Sequence, residues 1–527
     1  MASTLNSSTI SATLKEGVSQ AAKETHVSDN SYGQILKSSA MIGASSILNI
    51  GIGIVRTKFM AIFLGPAGFG LMGLFGSISD LAVSIAGMGI SSSGVRQIAE
   101  SVGTGEDDRI ARTVVVLRRT SIILAILGAS LLVVFSEQVS TLTFGNGERT
   151  GAVALLSLAV LLRLISAGQG ALIQGMRRIG DLSRMAVFSA FFGTLISIPL
   201  VYFLREKGVV PSLIFIAATM LISSWWYSRR IQVQPVAMTT FDVRQEAAGL
   251  LKLGFAFMAS GVLTMGAAYA VRIIVTRQIG VESAGFYQSA WTLGGLYVGI
   301  VLQAMGADFF PRLSAIARDN TACNRLVNEQ AQVSLLLAGP GVLATLTFAN
   351  VVIALFYSAK FYAAVGILRW ICLGMTLRII TWPMSFVIAA KGEKKLFIYA
   401  DLAWTIVNIG FSWFCVRSFG LNGAGIAFFG SYVFHGIMIY PIVRRLSGFR
   451  WSAVNKRTGM LFLSTITIVF CGFYLLPPIW AIVVGSLAFV LSGVFSIRII
   501  LSLVTLTRIP TPILRFLALL GLTNHNS

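Results

Sequence analysis

Charge is what this 527-residue sequence has least of: Asp, Glu, Lys and Arg together make up 12%, about half the share of a soluble globular chain. That shortage excludes a water-facing surface of ordinary size. With a mean hydropathy of +0.81, the chain reads as an all-α polytopic membrane protein. Acid is scarcer still, 20 residues against 41 basic ones. An excess of base points to nucleic acid only where it gathers on one soluble face. Here Lys and Arg sit in short loops between apolar runs, so no nucleic-acid partner is expected. Four cysteines (Cys323, Cys372, Cys415, Cys471) and three histidines are scattered without metal-ligand or disulfide spacing, so neither a metal nor a cofactor is expected. The glycine-rich GPAGFG turn fits no nucleotide-binding pattern. No outer loop is large enough to carry a set of catalytic acids and bases, which argues against an enzyme. Residues 1–35 are polar and lack an apolar run. This excludes a cleavable signal peptide and predicts a disordered cytoplasmic tail with a short amphipathic helix near Ile10–Glu24.

What is present is a series of apolar runs, each near the 20 residues that cross a bilayer. β-Barrel strands are about half that length and alternate. The 52 glycines suit close helix approach in lipid. Fourteen spans are read, at 39–64, 69–95, 116–136, 151–176, 184–205, 209–228, 252–278, 284–311, 330–356, 363–390, 395–416, 421–443, 458–476 and 479–505. Lys and Arg crowd alternate loops, at Arg109–Arg119, Arg177–Arg184, Arg229–Arg244, Arg312–Arg325, Lys391–Lys395 and Arg444–Arg457. The positive-inside rule puts these loops, and both termini, in the cytoplasm.

The stretch 48–100 organises the rest. It contains two apolar segments joined by a turn at Gly65-Pro66-Ala67-Gly68, with Arg56 inside the first and Asp80 inside the second. The pattern returns later in the chain. Arg56 and Arg272 are 216 positions apart, Gly68-Phe69 and Gly285-Phe286 are 217 apart, and Arg163 and Arg378 are 215 apart. Each copy has an even number of spans, so the copies share an orientation. The expected architecture is two six-helix bundles (36–230 and 252–450), related by a pseudo-two-fold along the membrane normal. A cytoplasmic linker (231–251) joins them, and an extra helix pair with a tail (451–527) follows. Repeats of this kind enclose a central site.

The candidate site residues are the intramembrane arginines Arg56, Arg163, Arg272, Arg369 and Arg378. A charge at that depth costs about 2.5–3.5 kcal/mol on insertion scales and needs a partner or a wet cavity. Arginine keeps its charge and forks onto phosphate in bidentate fashion. Each arginine alone is as readily a structural ion pair as a ligand. As a set with few buried acids, they suggest an anion-accepting cavity. Asp80 reads either as a cation or proton coupling site or, more readily, as the ion-pair partner of Arg56. His435 is expected to be a satisfied polar contact, Asp401 to cap a helix or pair with a loop base, and Trp404 to be an interfacial anchor. Trp291, Trp370 and Trp382 are expected in the core.

The run Ile54-Val55-Arg56-Thr57-Lys58, then LGPAGFGLMGLF, then DLAVSIAGMGISSSGVRQIAE, resembles the first two spans of bacterial O-antigen translocases. These are polysaccharide flippases of the multidrug/oligosaccharidyl-lipid/polysaccharide (MOP) exporter superfamily. RIIVTRQIGVESAGFYQSAW and FFPRLSAIARDN resemble the same family's second bundle. The resemblance covers about residues 36–450 and is specific in the first two spans. It implies a V-shaped pair of six-helix bundles with alternating access in the bacterial inner membrane. It also implies an undecaprenyl-diphosphate-linked oligosaccharide as cargo, moved from the cytoplasmic to the periplasmic leaflet, with a polysaccharide polymerase and a chain-length regulator as partners. A lipid II-type flippase, suggested by the extra helix pair, and an ion-coupled multidrug antiporter remain alternatives.

Overall fold

A glycine sets the first bend. In the computed structural model, which describes residues 7–233, 236 and 238–503, helix α1 (Ser7–Ala86) breaks at Gly65, where φ is 66° and ψ −175°. That backbone region is open almost only to glycine. Pro66 follows, with its φ preset for a first helical turn. The turn expected at Gly65–Gly68 is therefore present. Of the tail expected at 1–35, residues 7–35 run as the first part of α1, with no proline before Pro66 to interrupt it, and residues 1–6 lie outside the described residues.

The chain continues through α2 (Ile90–Thr104), α3 (Asp107–Val134), α4 (Ser136–Phe144), α5 (Thr150–Gly175), α6 (Ile179–Leu204) and α7 (Val209–Ser228). The next series is α8 (Thr240–Ile279), α9 (Val281–Ala315), α10 (Asn320–Thr347), α11 (Ala349–Phe356), α12 (Ala364–Ala390), α13 (Lys394–Phe419) and α14 (Gly423–Ser447), and α15 (Ala453–Leu475) and α16 (Pro478–Leu503) close the chain. The described residues contain no strand. The physical reason is that in lipid every backbone N–H and C=O must be satisfied inside its own segment or a closed barrel.

Nine stretches among the described residues are long and apolar enough to cross a bilayer, or up to 11 if each of two bent helix pairs counts as one crossing. Three of the nine, Ser45–Ala86, Ile179–Ser228 and Lys394–Ser447, are 42, 50 and 54 residues long, about twice what one crossing needs. Each is interrupted, at Gly65, at Arg205–Gly208 and at Gly420–Asn422.

Three local expectations are corrected. The second span does not run on to residue 95, because Met88 (φ 45°) and Gly89 (φ 64°) turn the chain before α2. The expected span 330–356 bends by 84° between α10 and α11. The expected linker 231–251 is largely helix, because Thr239 and Asp242 form a capping box that starts α8. The Thr-x-x-Asp spacing is the sequence signature of such a box.

The α1–α7 and α8–α14 halves meet along α1 against α8 and α9, and along α2 against α8. At one end of this seam Gly70 lies against Gly285, so closely that a methyl group on either would strike the other helix's backbone. The rings of Phe69, Phe286, Tyr357 and Phe361 pack edge-on around that contact. At the other end Gly89 meets Gly254 just as closely. The last two helices lie on α10, with Phe462 over Gly339 and Thr347 against Gly485.

Candidate functional site

Between the two glycine contacts lies a group of charges. Asp80 stands in the second part of α1 and Arg163 midway along α5. The Arg163 guanidinium donates to Asp80 Oδ1 at 2.7 Å and to Ser79 Oγ at 2.8 Å. The two side chains are 46% and 30% exposed, so the pair borders open space rather than packed core. The expected pairing of Asp80 with Arg56 is therefore corrected. Arg56 is half-buried and forms no hydrogen bond or ion pair among the described residues.

Arg272, on α8, faces the same region from the other half, and Asp80 lies within its electrostatic reach. Its Nε donates to Gln288 Oε1 at 2.8 Å and its Nη1 to the Ala268 carbonyl at 3.0 Å. Gln288, on α9, sits over Gly73 of α1, where a larger residue would displace it. Asp80 is paired with Arg163 alone, and Arg272 is held by an amide and a carbonyl without a carboxylate of its own. Close by, the Tyr269 and Thr143 hydroxyls are hydrogen-bonded across the seam. Arg277 Nη1 donates to the Thr141 carbonyl at 2.8 Å, and Lys58 Nζ donates to the Ala354 carbonyl at 2.7 Å.

The other expected site residues lie elsewhere. Arg369 stands 3.7 Å over the Phe473 ring of α15, a cation–π contact that fastens the closing helix pair. Arg378 lines a separate, half-open cavity of about 190 Å³ between α12, α13 and α14, together with Asp401, Trp404, Tyr432 and His435. Its nearest polar partner is the Met375 sulfur at 4.0 Å. Three residues here depart from expectation. Asp401 caps no helix and pairs with no loop base; it lines the cavity. His435 is not a satisfied contact, because its Nδ1 is buried without a partner, as is Trp404 Nε1. Trp404 is half-buried in the cavity wall rather than an exposed anchor. The i, i+3 spacing of Asp401 with Trp404 and of Tyr432 with His435 puts each pair on one helix face. That spacing is the signal in the sequence that marks them.

A second cavity of about 190 Å³ lies beside the Gly89–Gly254 contact, with hydroxyls of Ser84, Ser91, Ser92 and Ser121 in its wall. The described residues contain no group of three or more His, Cys, Asp or Glu placed to hold a metal ion.

The chain is 22% identical over 405 residues to a protein named Lipid III flippase from Escherichia coli (strain K12), covering 76% of this chain and 95% of that one. It is 22% identical over 377 residues to the succinoglycan biosynthesis transport protein ExoT of Rhizobium meliloti (strain 1021), covering 71% and 70%. Among solved structures it superposes on the inward closed conformation of the lipid II flippase MurJ with a TM-score of 0.66 at 16% identity, over 88% of this chain and 99% of that one. It also superposes on an inward-facing multidrug resistance MATE family transporter of the MOP superfamily, with a TM-score of 0.60 at 15% identity, over 75% and 95%. The fold of these transporters is therefore the fold of this chain. Residues 59–366, more than half of the sequence, match the profile of the polysaccharide biosynthesis protein family, and the chain belongs to that family.

Proposed function

We propose that the protein is a flippase for a lipid-linked oligosaccharide, carrying an undecaprenyl-diphosphate-linked O-antigen or related unit from the cytoplasmic to the periplasmic leaflet of a bacterial inner membrane. The observation that carries this reading is a pair of guanidinium groups drawn from the two halves, Arg163 paired with Asp80 and Arg272 held only by Gln288 and the Ala268 carbonyl. Two guanidinium groups to one carboxylate leave a net positive charge at the seam. Such a centre attracts an anionic headgroup, and guanidinium recognises phosphate oxygens in bidentate fashion. The names of the two sequence relatives, a flippase and a polysaccharide transport protein, support the same cargo class. The glycine contacts at both ends of the seam suit alternating access, since either can part while the other holds. With both termini in the cytoplasm, a membrane potential negative inside drives the headgroup outward. Each charge that crosses gains about 2.3 kcal/mol per 100 mV.

The test is translocation of a fluorescent lipid-diphosphate oligosaccharide in vesicles containing the purified protein. Arg272→Ala is expected to lower the rate at least about tenfold, and Arg272→Lys to restore part of it. Unchanged rates for Arg163→Ala and Arg272→Ala in correctly inserted protein overturn the reading. A multidrug antiporter of the same fold needs an available acid for organic cations, and at the seam Asp80 is held by Arg163. Drug efflux abolished by Asp80→Asn, without any lipid flipping, favours that alternative.

A further inference from the structure

The cavity between α12, α13 and α14 holds polar groups that the protein itself leaves unanswered. Arg378 donates to no oxygen or nitrogen, and Asp401 accepts no hydrogen bond and forms no ion pair, among the described residues. His435 Nδ1 and Trp404 Nε1 are buried with no hydrogen-bond partner. A buried polar group left unpaired costs about 1–3 kcal/mol, and an unpaired charge within a membrane span costs more. Two such buried atoms, beside a half-buried arginine and a half-buried carboxylate that no neighbour pairs, select for what fills the cavity.

The selection can be made by chemistry. Arg378 and the Trp404 N–H are donors only, and an ionised Asp401 is an acceptor only. An inorganic anion satisfies the donors and is repelled by Asp401. A metal cation satisfies Asp401 and is repelled by Arg378. A polyhydroxylated ring offers donors and acceptors on every side. Trp382, Trp404 and Tyr432 put aromatic rings in the rest of the wall, among aliphatic and hydroxyl side chains, which suits the apolar C–H faces of such a ring. At about 190 Å³, the cavity is smaller than the roughly 300–1,000 Å³ of drug-sized ligand sites. It has room for one ring rather than a chain. Arg378 stands midway along α12, and Trp382 and Asp401 lie between it and the α12–α13 turn at Lys391–Glu393. By the charge of its loops, that end faces the cytoplasm, where the proposed cargo is loaded.

We propose that this cavity is a sugar-binding subsite, in which Arg378, Asp401, His435 and the Trp404 N–H hydrogen-bond the hydroxyls of one monosaccharide of the cargo against the rings of Trp382 and Tyr432. The subsite rests on the flippase reading and deepens it. The diphosphate is held at the seam by Arg163 and Arg272, and the sugar is sorted in the α12–α14 cavity.

The experiment uses two probes on the full chain in lipid nanodiscs: undecaprenyl diphosphate, and the same lipid diphosphate carrying an oligosaccharide. Binding is followed by tryptophan fluorescence. Asp401→Asn and Trp404→Phe are near-isosteric and keep the packing, and their thermal midpoints check that they fold. Both variants are expected to weaken the sugar-bearing probe at least about tenfold and to leave the bare lipid diphosphate unchanged, whereas Arg272→Ala weakens both. If the two variants bind both probes as the unaltered protein does, the cavity holds water alone and the subsite is wrong, while the flippase reading stands. If the unaltered protein binds neither probe, both proposals fall.

Discussion

The two halves handle a buried guanidinium in opposite ways. In the α1–α7 half, Arg163 is clasped by Asp80 and Ser79 at 2.7 and 2.8 Å. In the α8–α14 half, Arg378 occupies the corresponding place in the sequence repeat and touches only a methionine sulfur at 4.0 Å. Both sit in lipid-spanning helices, where a charge must be compensated. One half compensates its charge from within. The other leaves it to something that enters the cavity. The difference teaches that the repeat copies the position of an arginine without copying its surroundings. Residue 296, near the position that duplicates Asp80, is a leucine.

The sharpest way to break this comparison is to remove what each arginine touches. Asp80→Ala leaves Arg163 without its carboxylate. A fully buried pair broken in this way costs roughly 3–5 kcal/mol. The exposure of this pair, 46% and 30%, reduces the expected loss to about 1–3 kcal/mol. The checks are a lowered thermal midpoint in detergent and its partial recovery in Asp80→Ala/Arg163→Met. Arg378→Met removes a charge that no carboxylate compensates and is expected to leave the midpoint unchanged or raise it. Equal losses from the two substitutions would end the comparison.

A second contrast is between the ends of the seam. The Gly70–Gly285 end is sealed by packed rings, with Tyr357 and Phe361 fully buried. The Gly89–Gly254 end is backed by a hydroxyl-lined cavity. Gly285→Ala forces the first end apart, and Gly254→Ala the second. Overpacking a tight contact costs about 1–3 kcal/mol, with the larger value expected at the ring-sealed end. In a cysteine-free background, Gly285→Ala is expected to speed maleimide labelling of a cysteine placed at Gln288, and Gly254→Ala that of one placed at Ser84. The same labelling pattern from both substitutions would mean that the ends do not move independently.

Much of the fold was legible because lipid makes it so. A long apolar run has little choice but helix, and Gly65-Pro66 breaks a helix wherever it stands. The mixed signs of the site were not legible. Asp80 is nearer to Arg56 than to Arg163 along the chain, and only the packing of α1 on α5 decides between them. Depth along a helix can be counted from sequence, whereas facing depends on which neighbour each side chain meets. For the same reason Asp401 reads as a helix cap in the sequence and stands in a cavity wall in the structure. Arg369 and Arg378 belong to one helix, α12, yet the first turns to Phe473 and the second to the cavity between α12, α13 and α14.

The mildest test concerns a third carboxylate, one that meets water. Asp242 accepts hydrogen bonds from the Thr239 backbone N–H and hydroxyl at 3.0 and 2.7 Å. These bonds, with the charge of Arg112 on the opposite half as a lesser contribution, hold its carboxyl below the usual range. A carboxyl lowered by folding contributes stability above its unfolded pKa, and that contribution fades as pH falls through the folded value. Asp242→Asn is therefore expected to lower the thermal midpoint slightly at pH 7. The gap should close as pH falls below about 4.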